Sequence, residues 1–329
     1  MALSTTDFSG LTAYLDEVFL DASSQSVEQM GSKELFDIQD TDREDYIYRV
    51  LHGVAGIRKV AEGADFPIVS GLQGDSATWT QVEYGAAIQV TDRIRRFWLE
   101  NQPSLEEQVR TITDESFHKI DQSLADVLIH GFSAANYVDV YNETVGATCP
   151  DAVAVFSASH TNGATSATFS NLIQYPVGTV NPPLSREAIV QARVDALNYK
   201  DPNGLNRPIV LDLLIVPPSK YDEGLRHTGS DKISGSFEND INPLKGNVRV
   251  MQWSKLTTAA DTTNGSAFWY MADSRNVKKS LKAFFGKRPS LEAPTDVQEN
   301  ADWNYRLFFY YSIGRAWPCF IWGSNGTSA

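Results

Sequence analysis

The stretch from Ser104 to Gly131, SLEEQVRTITDESFHKIDQSLADVLIHG, constrains this chain more than any other. Apolar side chains recur at Leu105, Val109, Ile112, Phe117, Ile120, Leu124, Val127 and Leu128, a period of 3.6 residues. Glu106, Arg110, Glu115, Lys119 and Asp126 fall on the opposite side. The spacing predicts one long amphipathic helix with a single buried face. Ser104 and Glu107 match an S-x-x-E capping box, Pro103 predicts a stop to the preceding segment, and Gly131 a C-terminal terminator. At 1.5 Å per residue such a rod is about 40 Å long, roughly twice the mean helix. It fits the core helix of an enzyme, or a strut on which sheets and arms are mounted.

The charge balance narrows the partners. There are 41 acidic and 28 basic residues, a formal net charge of −13. That argues against tight phosphate contacts with nucleic acid, while leaving loose enclosure open. With 329 residues and 42% hydrophobic content the chain can build a sizeable core in one large or two ordinary domains. Cys149 and Cys319 have no CxxC spacing for zinc, and two reduced thiols are expected. No apolar run reaches the length of a bilayer span. MALSTTDFSG lacks a basic stretch followed by an apolar one, so export is not expected and a cytoplasmic site of synthesis is.

Residues 1 to about 50 read as an arm, with Phe8, Leu11, Leu15, Val18 and Phe19 on a short amphipathic helix followed by the polar DASSQSVEQMGSKE. DTDRED begins like a calcium loop, but Asp45 stands where glycine is needed and Leu51 where glutamate is, so calcium is rejected. From about Ile57 to Val90 the pattern is β. Val82, Tyr84, Ala86, Ile88 and Val90 alternate with Glu83, Gly85, Ala87 and Gln89, and Gly63, Pro67, Gly71 and Gly74 punctuate what precedes them. A long two-stranded hairpin is predicted. Such a ribbon is barely stable alone and must lie on its own domain or on another subunit.

Further on, His160 follows Ser159, but no G-x-S-x-G elbow exists, and a surface histidine is expected. Ser185 caps a second amphipathic helix, REAIVQARVDALNYK. LDLLIVPP reads as a strand stopped by Pro217 and Pro218, SKYDEGLRHTGS as a third helix, and INPLKGNVRVMQW and AFWYMAD as strands. RNVKKSLKAFFGKRPS reads as a basic helix or turn. Its Lys278, Lys279, Lys282, Lys287 and Arg288 form either a solvated face or a phosphate contact. In the closing DWNYRLFFYYSIGRAWPCFIWGSNGTSA, Tyr305, Leu307, Phe309, Tyr311 and Ile313 share one face, and Pro318 implies an edge or bulge.

Taken in order, these are an arm, a β-ribbon, a long strut, a loop-rich stretch, an α/β block and closing strands. The order resembles the major capsid proteins of tailed bacteriophages, which share the HK97-type fold. YGAAIQVTDRI resembles that family's junction of ribbon and strut. PDAVAVFSASHTNGATSATFSN resembles a phrase of Mu-like head subunits. NRPIVLDLLIVPPSKYDEGLR resembles the opening of the second domain, and NPLKGNVRVMQWSKL with AFWYMAD its later strand pair. NYRLFFYYSIGRAWPCFIWGSNG resembles the return strands. Each phrase is degenerate alone; their collinear order carries the resemblance.

The resemblance implies an α+β fold with an N-terminal arm over 1–56 and an E-loop ribbon over 57–90. It implies a P-domain over 91–184 with its spine helix at 104–131. An A-domain follows over 185–299, then return strands and tail over 300–329. It implies a head protein that self-assembles into pentamers and hexamers, forming an icosahedral shell around a double-stranded DNA genome without binding it tightly. No enzyme activity, cofactor, metal or membrane is expected. The shell would be built in the host bacterial cytoplasm and would reside in the virion, with portal and cement or scaffolding proteins as further partners. The apolar residues of the ribbon and arm, Phe66, Ile68, Trp79, Val82, Tyr84, Phe8 and Leu11, are the subunit-interface candidates. Lys59 lies near the ribbon base, but no covalent crosslink is expected. Two other readings stay open: an encapsulin-like cellular compartment of the same fold, and a hydrolase built around His160 or His227.

Overall fold

The computed structural model describes residues 5–52, 59–60, 62, 65–66, 72–91, 93–94, 97–161, 168–201, 204–232, 240–256, 268–294 and 303–326, the side chains of residues 5–9, 51–52, 72–73, 98–99 and 101 excepted. At the N-terminus, α1 (Thr5–Gln29) and α2 (Ser32–Leu35) lie against the long helix α3 (Trp98–Ile129). Residues 5–40 are therefore not an outstretched arm. Leu11, Leu15, Val18, Phe19 and Ala22 are buried, and each of the first four contributes about 1.5–3 kcal/mol by leaving water. In the polar stretch after Phe19 the serines bond back to the helix, Ser23 Oγ to the Leu20 carbonyl and Ser26 Oγ to the Ala22 carbonyl, a pattern that gives the helix no support of its own, so its hold comes from the spine. Polar bridges then fix α1 alongside α3. Tyr14 donates to Glu106 at 2.6 Å, Arg110 to Asp21 at 2.8 Å and Ser26 to Asp114 at 2.5 Å.

The spine helix α3 starts almost two turns before its expected box. Ser104 is not its cap, and Pro103 lies inside it. Pro103 is the sixth residue of the helix, past the first turn, so its missing N–H leaves the Leu99 carbonyl without its helical donor and its ring crowds that carbonyl, a local cost that the packing of the rest of the helix offsets. The helix ends in a 3₁₀ turn, His130–Phe132. Gly131 is needed there for close approach, since a Cβ would stand 2.9 Å from the Phe156 ring.

The main sheet packs on the spine. Its order is β1 (Asp37–Asp40), β12 (Leu281–Glu292), β13 (Trp303–Arg315), β4 (Val82–Val90), with β1 parallel to β12 and the others antiparallel. Tyr305, Leu307, Phe309 and Tyr311 face the core as their spacing predicts. The basic stretch expected as helix or turn is corrected: after a 3₁₀ turn at Val277–Lys279 it is strand β12. Leu281, Ala283 and Phe285 alternate into the core, and two neighbouring strands outweigh the helix-favouring lysines. Lys282 pairs with Asp37, Arg288 with Asp40 and Lys287 with Glu292, so these cations are held within the chain.

The predicted hairpin over 57–90 is also corrected. Strand β4 pairs with β13, Trp303 to Tyr311 against Val90 to Val82. The ribbon is instead β2 (Asp45–His52) against β3 (Leu72–Thr80), with Tyr46 opposite Trp79. Its first strand comes from the stretch assigned to the arm. Ile88 and Val90 need a buried face, which β4 finds on the main sheet and a two-stranded ribbon does not supply.

Between the spine and the second sheet come short pairs, β5 (Tyr137–Val138) with β6 (Thr144–Val145) and β7 (His160–Thr161) with β8 (Thr168–Phe169). Helix α4 (Arg186–Leu197) starts at the predicted Ser185 cap, whose Oγ accepts from Ala188 N at 3.2 Å. The second sheet has the order β10 (Arg249–Gln252), β9 (Leu213–Val216), β11 (Trp269–Ala272), β14 (Ile321–Ser324). Helix α5 (Tyr221–Gly229) packs beside β9 and β10. Alternation divides the sheet's faces: Leu213, Ile215, Tyr270 and Ile321 join the core around the spine, while Leu214, Val216, Met271 and Trp322 pack with Ala188, Ile189 and Ala192 of α4. Chain segments assigned to one unit thus serve both. The closing stretch gives β13 to the main sheet, but β14 to the second sheet rather than to the first as expected.

Candidate interface sites

Of the seven interface candidates, Ile68 and the Phe8 side chain lie outside the described residues. Leu11 is 1% exposed and packs inside its own chain, so it offers no surface to a neighbour. That corrects the reading of it as an interface residue, because the segment carrying it is a docked helix. Phe66 is the opposite case, 84% exposed. Trp79, Val82 and Tyr84 come together: all three line one cleft of about 530 Å³ at the base of the ribbon.

The cleft is built where the ribbon crosses the sheet. Trp79 stacks with Tyr48 at 5.3 Å between ring centroids and with Phe284 at 5.8 Å, and Tyr46 covers Phe284 at 4.0 Å. Phe284 lies on the face of β12 away from the spine, so these rings bury it from outside. Gly314 permits the contact, since a Cβ there would stand 2.7 Å from the Trp79 ring. The ribbon base is thereby fixed to its own subunit. On the other side Tyr84 packs on Tyr141 at 4.2 Å and on Tyr311 at 5.1 Å. Burial pushes the phenol pKa values of Tyr84, Tyr141 and Tyr311 up, so these rings stay neutral and apolar.

The remaining wall is the segment from Asp139 to Ala152. Asp139 Oδ1 folds it into a tight turn by accepting from Tyr141 N and Glu143 N, both at 2.9 Å. Ser312 and Arg315 complete the lining. The lining offers aromatic surface, hydroxyl groups, the Asp139 and Glu143 carboxylates and one guanidinium.

His160, expected at the surface, is fully buried. Its Nδ1 lies 2.8 Å from Asp151 Oδ2 and its Nε2 3.2 Å from the Val155 carbonyl, with Phe169 stacked at 5.0 Å. Asn171 ties the same carbonyl to the closing segment, donating to Val155 O at 2.7 Å and to Pro318 O and Ile321 O at 3.2 Å. The histidine holds a loop in place. His227 lies 3.9 Å from Glu223 on the same helix. Among the described residues no group of His, Cys, Asp and Glu has the makings of a metal site, and no helix is long and apolar enough to cross a membrane. Cys149 and Cys319 are free and buried, as the expectation of two thiols has it.

Sequence reasoning missed Tyr46 and Tyr48 as ribbon residues, although Tyr46, Tyr48 and Val50 recur at every second position of DYIYRV. It also missed Arg315. The signal was there, an arginine continuing in phase the inward series Tyr305, Leu307, Phe309, Tyr311 and Ile313.

No family model and no curated protein matches the sequence. Solved structures do match in shape. A chain from Gordonia phage Cozz aligns with a TM-score of 0.51 at 10% identity, over 90% of this chain and 86% of that one. A chain of the capsid structure of cyanophage P-SCSP1u aligns with a TM-score of 0.50 at 10% identity, over 89% and 86%. A chain of the procapsid of bacteriophage JBD30 aligns at 0.48 and 12% identity, over 98% of this chain and 76% of that one. At such identities the likeness is one of fold, and it rests on the first two.

Proposed function

We propose, from the premise that this chain has the HK97-type α+β fold seen in phage capsid chains, that it is a major capsid subunit. In this reading copies associate head to tail into rings of five and six, and the rings close into an icosahedral shell around double-stranded DNA. One observation carries the reading beyond fold. The ribbon base is fixed to its own sheet by Trp79 over Gly314, while Phe66, which follows the first ribbon strand, is 84% exposed. A single exposed ring is ordinary on a protein surface, so the weight falls on the aromatic cleft at the ribbon base. Trp79, Val82 and Tyr84, gathered in one cleft, are proposed as subunit-contact residues beside Phe66.

The acidic balance, a net charge of −13, suits a wall that encloses DNA without adhering to it. Portal, cement or scaffolding proteins are further partners in this proposal, with assembly in the host cytoplasm and residence in the virion. The hydrolase reading loses its main candidate, because His160 has no exposed surface for a substrate to reach. Light scattering on the purified protein across a hundredfold range of concentration tests the proposal. A shift from subunit to a discrete particle of megadalton mass is the expected result. A mass that stays at one subunit throughout contradicts it.

A further inference from the structure

Arg315, in the cleft beneath the ribbon, makes no ion pair among the described residues, although Asp139 and Glu143 line the same cleft. Strand β4 begins at Val82, opposite Tyr311, so β13 runs on from Ser312 to Arg315 with no strand beside it on that side among the described residues. Arg315 is 5% exposed and Ser312 6%. Arg315 Nη2 donates to the Tyr137 hydroxyl at 2.8 Å and the guanidinium lies 5.8 Å from the centre of that ring, but among the described residues its Nε has no acceptor and Ser312 Oγ has no partner. A buried cation lacking an anion is a costly arrangement, and a buried donor lacking an acceptor adds to the cost.

The shape of the gap says what relieves it. Ser312 and Arg315 stand three residues apart on a strand, about 10 Å, and an odd step sends their side chains to opposite faces. Both still line the cleft, because it wraps around the open edge of β13. A small free anion does not span that distance. An extended peptide laid along the vacant edge reaches both groups and gives the strand the neighbour it lacks. Arg315 calls for a carboxylate on that peptide. Asp139 and Glu143 on the other wall repel further ones, so a single acidic residue at the Arg315 end fits best. A chain with 41 acidic and 28 basic residues supplies such a segment in abundance.

We propose that this cleft receives an extended segment of a second copy of the chain, with one carboxylate paired to Arg315 and a backbone carbonyl accepting from Ser312. The proposal rests on the shell reading and names a contact within it. Arg315→Met and Ser312→Ala test it, through the melting temperature of the dilute subunit and the concentration at which particles form. Arg315→Met is expected to melt no lower than the wild type, since an unpaired buried charge is gone, yet to need at least about 30-fold more protein to assemble. Ser312→Ala is expected to need about two- to tenfold more. If both variants assemble as the wild type does, this contact is wrong and the shell stands. A lower melting temperature for Arg315→Met with unchanged assembly makes the arginine a structural residue and also overturns the contact. Should Arg315→Met fail to fold, Ser312→Ala decides alone. A wild type that never associates overturns both readings.

Discussion

Trp253 donates its indole N–H to Asp121 Oδ2 at 3.0 Å, where the tryptophan is 1% and the aspartate 3% exposed. The other carboxylate oxygen accepts from the backbone N–H of Ser32, also at 3.0 Å. One side chain in the C-terminal third of the spine helix thus fastens the start of α2 on one hand and the segment after β10 on the other. Gly31 belongs to the same joint, since a Cβ there would lie 2.4 Å from the Trp253 ring.

Asp121→Ala leaves two buried donors without an acceptor. We expect it to cost about 2–4 kcal/mol. Guanidinium unfolding checks this: the midpoint should fall while the slope stays unchanged. A midpoint within error of the wild type would mean that water replaces the carboxylate.

Gly314→Ala puts a methyl group into the Trp79 ring and should lift the ribbon base from the sheet. The expected loss of stability is about 1–3 kcal/mol, the usual range for overpacking. Faster proteolysis within the ribbon, with the rest of the chain protected as before, is the expected pattern. Uniform acceleration along the chain would show that the damage is not local.

Asp126 gives a prediction in pH. Burial is the main cause that pushes its carboxyl from 3.8 to about 6, with the Asp139 charge adding to it and the hydrogen bond from Gln122 opposing. The folded-state value lies above the unfolded one, so the ionised group weakens the fold. That penalty is full above pH about 6 and fades as the pH falls toward 3.8. Asp126→Asn keeps an oxygen for Gln122 Nε2, which donates at 2.8 Å. The variant should gain about 2–3 kcal/mol at pH 8 and little at pH 4. An equal gain at both pH values would refute the titration of Asp126 as its source.

Burial raises the pKa of both thiols, that of Cys319 to about 12 and that of Cys149 further. Neither is a nucleophile at ordinary pH. A thiol reagent at pH 8 should label neither in the native protein and both after denaturation. Native labelling at the denatured rate would contradict the packing around them.

How much of this was legible beforehand follows the range of each interaction. The spine, α4, the strands of the second sheet and the inward face of β13 are local periodicities, and these stand close to where the residues put them. Strand partners are not local. Tyr46 meets Trp79 across 33 residues, and nothing near either one announces the other. Helix α1 was half visible, because only its first turns carry regular apolar spacing and the rest is held by bridges to Glu106, Arg110 and Asp114 of the spine. The burial of His160 depends on Asp151, Phe169 and the closing segment together, so a histidine among serines and threonines looked exposed.

In the proposed shell the chain completes itself on its own copies. Negative-stain electron microscopy of the purified protein at assembly concentration tests this most directly. Uniform closed polyhedral particles are expected, or rings of five and six where closure is incomplete. A field of separate, compact single subunits under every condition tried would contradict it.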